Sequence, residues 1–217
     1  MNVDAKLRYL PALKILRDKG SEETVLEVGG GVEGISKFFK EKLTICDVCL
    51  DGVEDTDKIK YVQGDARSLP FDDNSFDYII SSDMVEHIKS EDREKVMKEL
   101  VRVSRKKVIV GFPCGDKAHK WETKLFNLGK KITGKEHKWL KEHVENGLPS
   151  EEEIKSYLGE DVQVISNANL KIWFTNELFN PYLWFVPWIF YPVFTHFNGK
   201  GSSYRKIFIV SKEEAKE

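Results

Sequence analysis

The sequence predicts an α/β fold, a doubly wound and mostly parallel sheet of seven strands. Three observations carry that expectation. Short apolar runs alternate with longer amphipathic stretches through the first half of the chain, the pattern of strand and helix units that cover a parallel sheet on both faces. The first of these runs ends in glycines, Gly29, Gly30, Gly31 and Gly34, where a strand turns sharply and lets a ligand approach the backbone. The length of 217 residues, 41% of them hydrophobic, suits a single domain over 1–217 whose core needs no disulfide or metal staple.

The elements follow in order. Residues 3–19 predict an amphipathic helix with Leu7, Leu10, Leu13 and Leu16 near helical spacing, stopped by Gly20 and Ser21. Residues 24–28 predict a buried strand and 33–42 a helix with Ile35, Phe38 and Phe39 facing inward. Further strands are expected at 43–48, 59–62, 76–81 and 107–112. A helix over 90–104 presents Val96, Leu100 and Val103 on one face. After Pro113 the alternation loosens. Ser150 followed by Glu153 has the capping-box spacing that starts a helix over 150–158. A sixth strand is expected at 162–165 and the last at 204–211.

Composition excludes some functions and locates others. The 34 basic and 36 acidic side chains leave a net charge of −2, which argues against a nucleic-acid partner held by bulk electrostatics. That balance hides eight lysines against two glutamates between Lys117 and Lys141. Aromatic residues make up 12% of the chain, and eleven of them fall between Trp173 and Phe197. Cys46 and Cys49 form a C-x-x-C, but no second pair completes a tetrahedral site. His137 and His143 do not share a helical face at metal-binding spacing, so no metal site is expected. Reduced thiols, no secretory leader and no apolar run long enough to span a bilayer predict a cytoplasmic protein.

The glycine loop admits two kinds of ligand. Gly29-x-Gly31-x-x-Gly34 has the literal spacing of a dinucleotide site, with Asp47 following at the end of the second strand. A pyrophosphate, however, would face two carboxylates, Glu27 and Glu33. S-adenosylmethionine (SAM) carries a sulfonium and an ammonium instead, and acids around the loop favour those cations.

The stretch GDARSLPFDDNSFDYIISSDMVEHI, residues 64–88, follows that loop. It resembles the class I SAM-dependent methyltransferases, in the subgroup similar to ubiquinone and sterol methyltransferases. The likeness rests on Asp65-Ala66, on Leu-Pro-Phe at 69–71, on Asn-Ser-Phe-Asp at 74–77 and on Glu-His-Ile at 86–88, and with the loop it covers about 23–112. It implies the Rossmann-like methyltransferase fold, an antiparallel last strand, SAM as cofactor and S-adenosylhomocysteine as product. By the resemblance Glu27, Gly29, Gly30 and Gly31 hold the methionine part, and Asp47 with Val48 holds the ribose. Asp65 and Ala66 flank the adenine, with the Asp65 carboxylate accepting from its amino group. Ser82 lies near the methionyl carboxylate. The family usually has glycine where this chain has Glu33.

Methyl transfer needs an oriented acceptor and often a base. Glu86 and His87 follow the fourth strand at the sheet's carboxyl edge, and His87 is the natural base because imidazole titrates near neutrality. Residues 113–200 are expected to form an acceptor-side cap. Residues 142–154 (EHVENGLPSEEEI) also resemble methyltransferases of polysaccharide and glycolipid assembly. The aromatic segment 178–199 reads as a lid on the acceptor pocket, a peripheral membrane contact beside the basic stretch, or a subunit interface. The expected function is methyl transfer from SAM to a small-molecule or lipid- or glycan-linked acceptor. An NAD(P)-dependent oxidoreductase and a non-catalytic SAM-binding module are the alternatives.

Overall fold

A computed structural model describes residues 3–159, 161–179 and 191–212. Seven strands form one sheet: β1 (Val25–Val28), β2 (Leu43–Asp47), β3 (Ile59–Gln63), β4 (Phe76–Ser82), β5 (Ser104–Pro113), β6 (Gln163–Asn169) and β7 (Ser203–Ser211). Their order is β3-β2-β1-β4-β5-β7-β6. The first five pair in parallel. β7 runs antiparallel to both of its neighbours, as the resemblance implied. The chain winds outward from β1 through β2 to β3 and then restarts at β4 on the other side of β1. The carboxyl ends of β1 and β4 are therefore the topological switch point, where open α/β sheets hold ligands.

Alternation along each strand divides the core. Leu26, Ile79, Val108 and Val110 point to one face, where α2 (Ser90–Val103) brings Val96, Met97 and Leu100 and α5 (Glu151–Leu158) brings Ile154. Val25, Ile45, Ile80 and Ile109 point to the other, against Tyr9, Ala12 and Leu16 of α1 (Val3–Leu16). Neighbouring residues of one strand thus serve opposite layers. Both layers are almost free of solvent, as they must be for a parallel sheet. The capping box at Ser150 is present in both directions: Ser150 Oγ accepts from the Glu153 amide at 3.0 Å, and Glu153 accepts from the Ser150 amide at 3.2 Å.

One expected helix is absent. Residues 33–42 do not form an α-helix; two short 3-10 turns, Gly31–Glu33 and Ile35–Lys37, stand there instead. The cause is Gly34, whose extended backbone separates the turns, and the Glu27 carboxylate, which takes the Ile35 N–H that a helix would use. Ile35 and Phe39 still reach the α1-side core, so the apolar spacing was read correctly while the backbone was not.

The second half of the chain adds α3 (Gly115–Thr133), α4 (Lys138–Asn146), α6 (Leu170–Phe179) and α7 (Tyr191–Phe197). The stretch 113–200, expected as an acceptor-side cap, holds α5, packed on the main core, and the edge strand β6. A third apolar cluster joins Ala118 and Leu125 of α3 to Leu170, Trp173 and Phe174 of α6 and to Tyr204 of β7. Trp173 stacks on Tyr204 with centroids 3.6 Å apart, and Phe174 meets Trp121 edge-on at 4.6 Å. The front of the aromatic segment is thus core. Half of the segment expected as a lid, membrane contact or subunit interface, residues 180–190, lies outside the described residues. Among the described residues no helix is long and apolar enough to cross a membrane. The eight lysines between 117 and 141 are exposed, and some are engaged within the chain: Lys130 and Lys141 pair with Glu136 at 2.7 and 2.9 Å, and Lys124 lies over the Trp121 ring.

Candidate active site

A cavity of about 740 Å³ opens at the carboxyl ends of β1 to β5. The loops after β1, β2 and β3 line one part of it, with Gly29, Gly30, Asp47, Val48, Asp65 and Ala66. The loop after β4 and helix α4 line the other, with Ser82, Glu86, His87, Trp139 and His143. The sheet edge therefore gathers all but two of the residues expected from the sequence into one cavity wall. Glu27 and Gly31 are the exceptions: Glu27 is buried within β1, and the Gly31 amide bonds Asp47 of that wall.

Glu27 is fully buried in β1 and does not line the cavity. Both carboxylate oxygens accept from the Ile35 amide at 2.9 Å, and the Tyr9 hydroxyl adds a further hydrogen bond. Burial pushes the Glu27 carboxyl up to about 7, against the pull of the Ile35 amide and Tyr9. The glycines allow this packing. A Cβ at Gly30 or Gly34 would collide with the Glu27 carboxylate, so glycine one place after the family's usual position keeps room for that side chain. Gly29 is held at φ +77°, a left-handed conformation that side chains resist, with Met84 against it.

Asp47 is already oriented. Its Oδ2 accepts from the Gly31 amide and its Oδ1 from the Cys49 amide, both at 3.0 Å. Val48 beside it is exposed to the cavity mouth. Asp65 carries a partner that the sequence reading missed: the Arg67 guanidinium and amide bond its two oxygens at 2.6 to 3.0 Å. Those hydrogen bonds hold the Asp65 carboxyl below the usual range. A carboxylate has about four lone-pair sites, so room for another donor remains. Ala66 is buried in the core layer that α2 and α5 cover. The C-x-x-C is not a redox pair: Cys46 is buried in β2 with its thiol pushed up to about 11 by burial, and Cys49 is exposed.

Beyond Ser82 the chain turns through Asp83 at φ +51°. Arg8 from α1 bonds Asp83 Oδ2 at 2.8 Å, and Arg205 from β7 bonds both oxygens at 2.7 and 2.8 Å. Burial alone would raise this carboxyl, but the Arg205 and Arg8 guanidiniums outweigh it and keep Asp83 below the ordinary range. Asp83 is a clamp between α1, β4 and β7. Neither arginine was singled out from the sequence, because nothing local links positions 8, 83 and 205.

The end of the cavity formed by α4 holds a second cluster. His87 sits in a 3-10 turn (Val85–His87), its Nδ1 3.0 Å from Glu142 of α4. Its Nε2 lies 3.4 Å from Nε2 of His143, also of α4. His143 in turn places Nδ1 3.0 Å from Glu122 of α3, which also accepts from the Tyr204 hydroxyl at 2.6 Å. Glu86 is 1% exposed and its Oε2 has no hydrogen-bond partner. Burial, with Asp83 nearby, drives the Glu86 carboxyl well above its ordinary range. Burial and the neighbouring imidazole of His143 push His87 down, opposed by Glu142. His87 thus stands at the cavity as expected, but both of its ring nitrogens already face a partner. His143 and Glu122 were not anticipated as members. Two signals point to them: an acid inside a lysine-rich helix, and His143 one helical turn from Trp139, whose ring packs edge-on against His87 at 5.1 Å.

Comparison with known proteins agrees with this arrangement. Residues 26–111 match the family model described as methyltransferase domain. Over 101 residues the chain is 33% identical to a sterol 24-C-methyltransferase of Gibberella zeae, a stretch that is 46% of this chain and 23% of that enzyme. Over 48 residues it is 35% identical to norajmaline N-methyltransferase of Rauvolfia serpentina, 22% of this chain and 16% of that one. The chain therefore matches less than a quarter of the length of these curated relatives. A solved SAM-dependent methyltransferase of Thermotoga maritima superposes with a TM-score of 0.56 at 15% identity, covering 97% of this chain and 92% of its own. Phosphoethanolamine N-methyltransferase 2 of Haemonchus contortus, solved with phosphomonomethylethanolamine and S-adenosylhomocysteine, gives 0.55 at 17% identity, over 94% of this chain and 52% of that one. At such identities the structural likeness speaks for the fold. The sheet order and the family match converge: over residues 26–111 this chain is similar to the methyltransferase domain family, on the fold of the solved methyltransferases.

Proposed function

We propose that the protein transfers a methyl group from SAM to a small-molecule acceptor, free or carried on a lipid or glycan. The observation that carries this reading is the construction of the glycine loop. A dinucleotide pyrophosphate needs free amides at a helix N-terminus. Here no α-helix follows the loop, and the Ile35 amide is spent on a buried carboxylate. What the loop offers toward the cavity is the Asp47 carboxylate, held by the Gly31 amide. That suits a cofactor that is cationic at its methionine end and carries a ribose diol. The NAD(P) alternative loses its main support on the same ground.

Within this reading Asp47, with Val48 beside it, receives the ribose hydroxyls, Asp65 and Ala66 the adenine, and Gly29 to Gly31 and Ser82 the methionine part. Glu27 acts from behind, shaping the loop through Ile35. When bound, SAM supplies an electrophilic methyl on a sulfonium. The chain supplies position: the acceptor approaches from the side of His87, Trp139 and His143, the part of the cavity that the cofactor-side loops leave open. The relatives act on acceptors as different as a sterol and an alkaloid by their names. They support a small acceptor for this chain without choosing among them.

The test is transfer of labelled methyl from SAM into fractions of a cell extract. A single labelled small-molecule or lipid-linked product is expected. No label above that of an Asp47→Ala control in any fraction would contradict an enzyme and leave a SAM-binding module.

A further inference from the structure

We infer that Glu86, His87 and His143 form a binding site for one divalent transition-metal ion of zinc type. The site lies at the end of the cavity assigned above to the acceptor, and only the role given to its open coordination position rests on that reading. One ligand atom from each of the three residues falls within 4.8 Å of the others, and no other such group occurs among the described residues.

Tautomers make the case. Each imidazole places Nδ1 3.0 Å from a carboxylate, His87 on Glu142 and His143 on Glu122. A carboxylate accepts, so each Nδ1 carries the hydrogen. In the neutral rings both Nε2 atoms are then bare lone pairs, and they face each other at 3.4 Å. Two lone pairs at that distance repel unless a cation sits beside both. Carboxylate on the far nitrogen is also the usual way a zinc-bound histidine is oriented. The spacing agrees: two nitrogens at about 2.05 Å from a tetrahedral zinc lie about 3.4 Å apart. Glu86 completes the set independently, since its buried Oε2 has no partner and a buried carboxylate oxygen rarely goes without one.

Two imidazoles and one carboxylate leave a coordination position open, the arrangement of catalytic rather than structural zinc sites. All three residues line the cavity, so the open position takes an oxygen of the acceptor and fixes it in place. This role replaces the one the sequence suggests for His87, because a ligated Nε2 has no lone pair left to accept a proton. The site is not legible in the sequence because its ligands come from two elements, the turn after β4 and helix α4.

The test uses the full chain, without a histidine tag, stripped of metal and titrated with Co²⁺ and then Zn²⁺. One Co²⁺ per chain is expected, with visible absorption of a four- or five-coordinate site that Zn²⁺ abolishes. Glu142→Gln should weaken binding by about 10- to 100-fold, as outer-shell changes at zinc sites do. His87→Gln with His143→Gln should remove binding, and the exposed His137→Gln should leave it unchanged. X-ray absorption of the zinc-loaded wild type needs no variant and should show nitrogen and oxygen neighbours only. Absence of saturable Co²⁺ uptake, uptake that survives the double variant in folded protein, or a sulfur-rich shell would overturn the inference. SAM-induced stabilisation, measured on the same metal-free protein, reports on the methyltransferase reading separately.

Discussion

The cofactor side and the acceptor side of the cavity are built on different principles. On the cofactor side each expected residue sits near the end of its own strand or in the loop that follows, and each acid has a partner near in sequence: Asp47 with Cys49, Asp65 with Arg67, Glu27 with Ile35. On the acceptor side the partners come from far away. His87 meets Glu142 and His143, Asp83 meets Arg8 and Arg205, and Tyr204 meets Glu122. The first kind of site is written in short motifs. The second exists only once the sheet has brought β4, β7 and three helices together. Under the proposed function the difference also divides the labour: local loops present the cofactor surface, and long-range contacts set the shape of the acceptor end.

If that division holds, damage to the long-range side should cost folding, and damage to the local side should cost binding. Asp83→Ala carries the largest expected loss of stability. It leaves the fully buried Arg205 and the partly buried Arg8 without their shared carboxylate, and breaking a buried pair on one side costs about 3–5 kcal/mol. Urea denaturation checks this, and a loss under about 1 kcal/mol would make the clamp ornamental.

Glu27→Gln sharpens the local side through pH. The folded carboxyl titrates at about 7 and the unfolded one at 4.5. Below 4.5 both states are protonated. Between 4.5 and about 7 the unfolded chain ionises first, so the wild type loses stability as pH rises, and the loss is complete above 7. Gln keeps an acceptor for the Ile35 amide and does not titrate. Its stability relative to the wild type should therefore climb by about 3 kcal/mol from pH 4.5 to 8. A flat difference would show that Glu27 is ionised throughout.

Tyr204→Phe is the smallest. It removes the hydroxyl from Glu122 but keeps the stack on Trp173. A loss of about 1–2 kcal/mol is expected, because a buried carboxylate loses one donor. A loss near that of Asp83→Ala would show that the two acceptor-side networks are one.

The same division explains what could be read from the sequence. All seven strands were legible, since each holds a short apolar run set off by turn residues. The antiparallel last strand came from the resemblance, because period and composition say nothing of direction. The helix over 33–42 was misread: its apolar spacing is real, but the decision between helix and 3-10 turns rests on a carboxylate from β1 reaching Ile35. Ser150 and Glu153 were legible because a capping box is complete within four residues. The two arginines on Asp83 and the His143–Glu122 pair were not, since each joins positions that only the fold makes neighbours. The front of the aromatic segment fell between these cases. Its excess of rings was plain, but that Trp173 and Phe174 fill a core under α3 is a fact of packing.

The central claim is that the cavity at the switch point is a SAM site built around Asp47. Thermal unfolding of the wild type and of Asp47→Ala, each with SAM, S-adenosylhomocysteine or NAD, tests it most directly, since a ligand of the folded state raises the midpoint. The account predicts a rise in the wild type with SAM and S-adenosylhomocysteine, none with NAD, and none with any of the three in Asp47→Ala. A rise with NAD alone, or a SAM shift that survives Asp47→Ala, would contradict it.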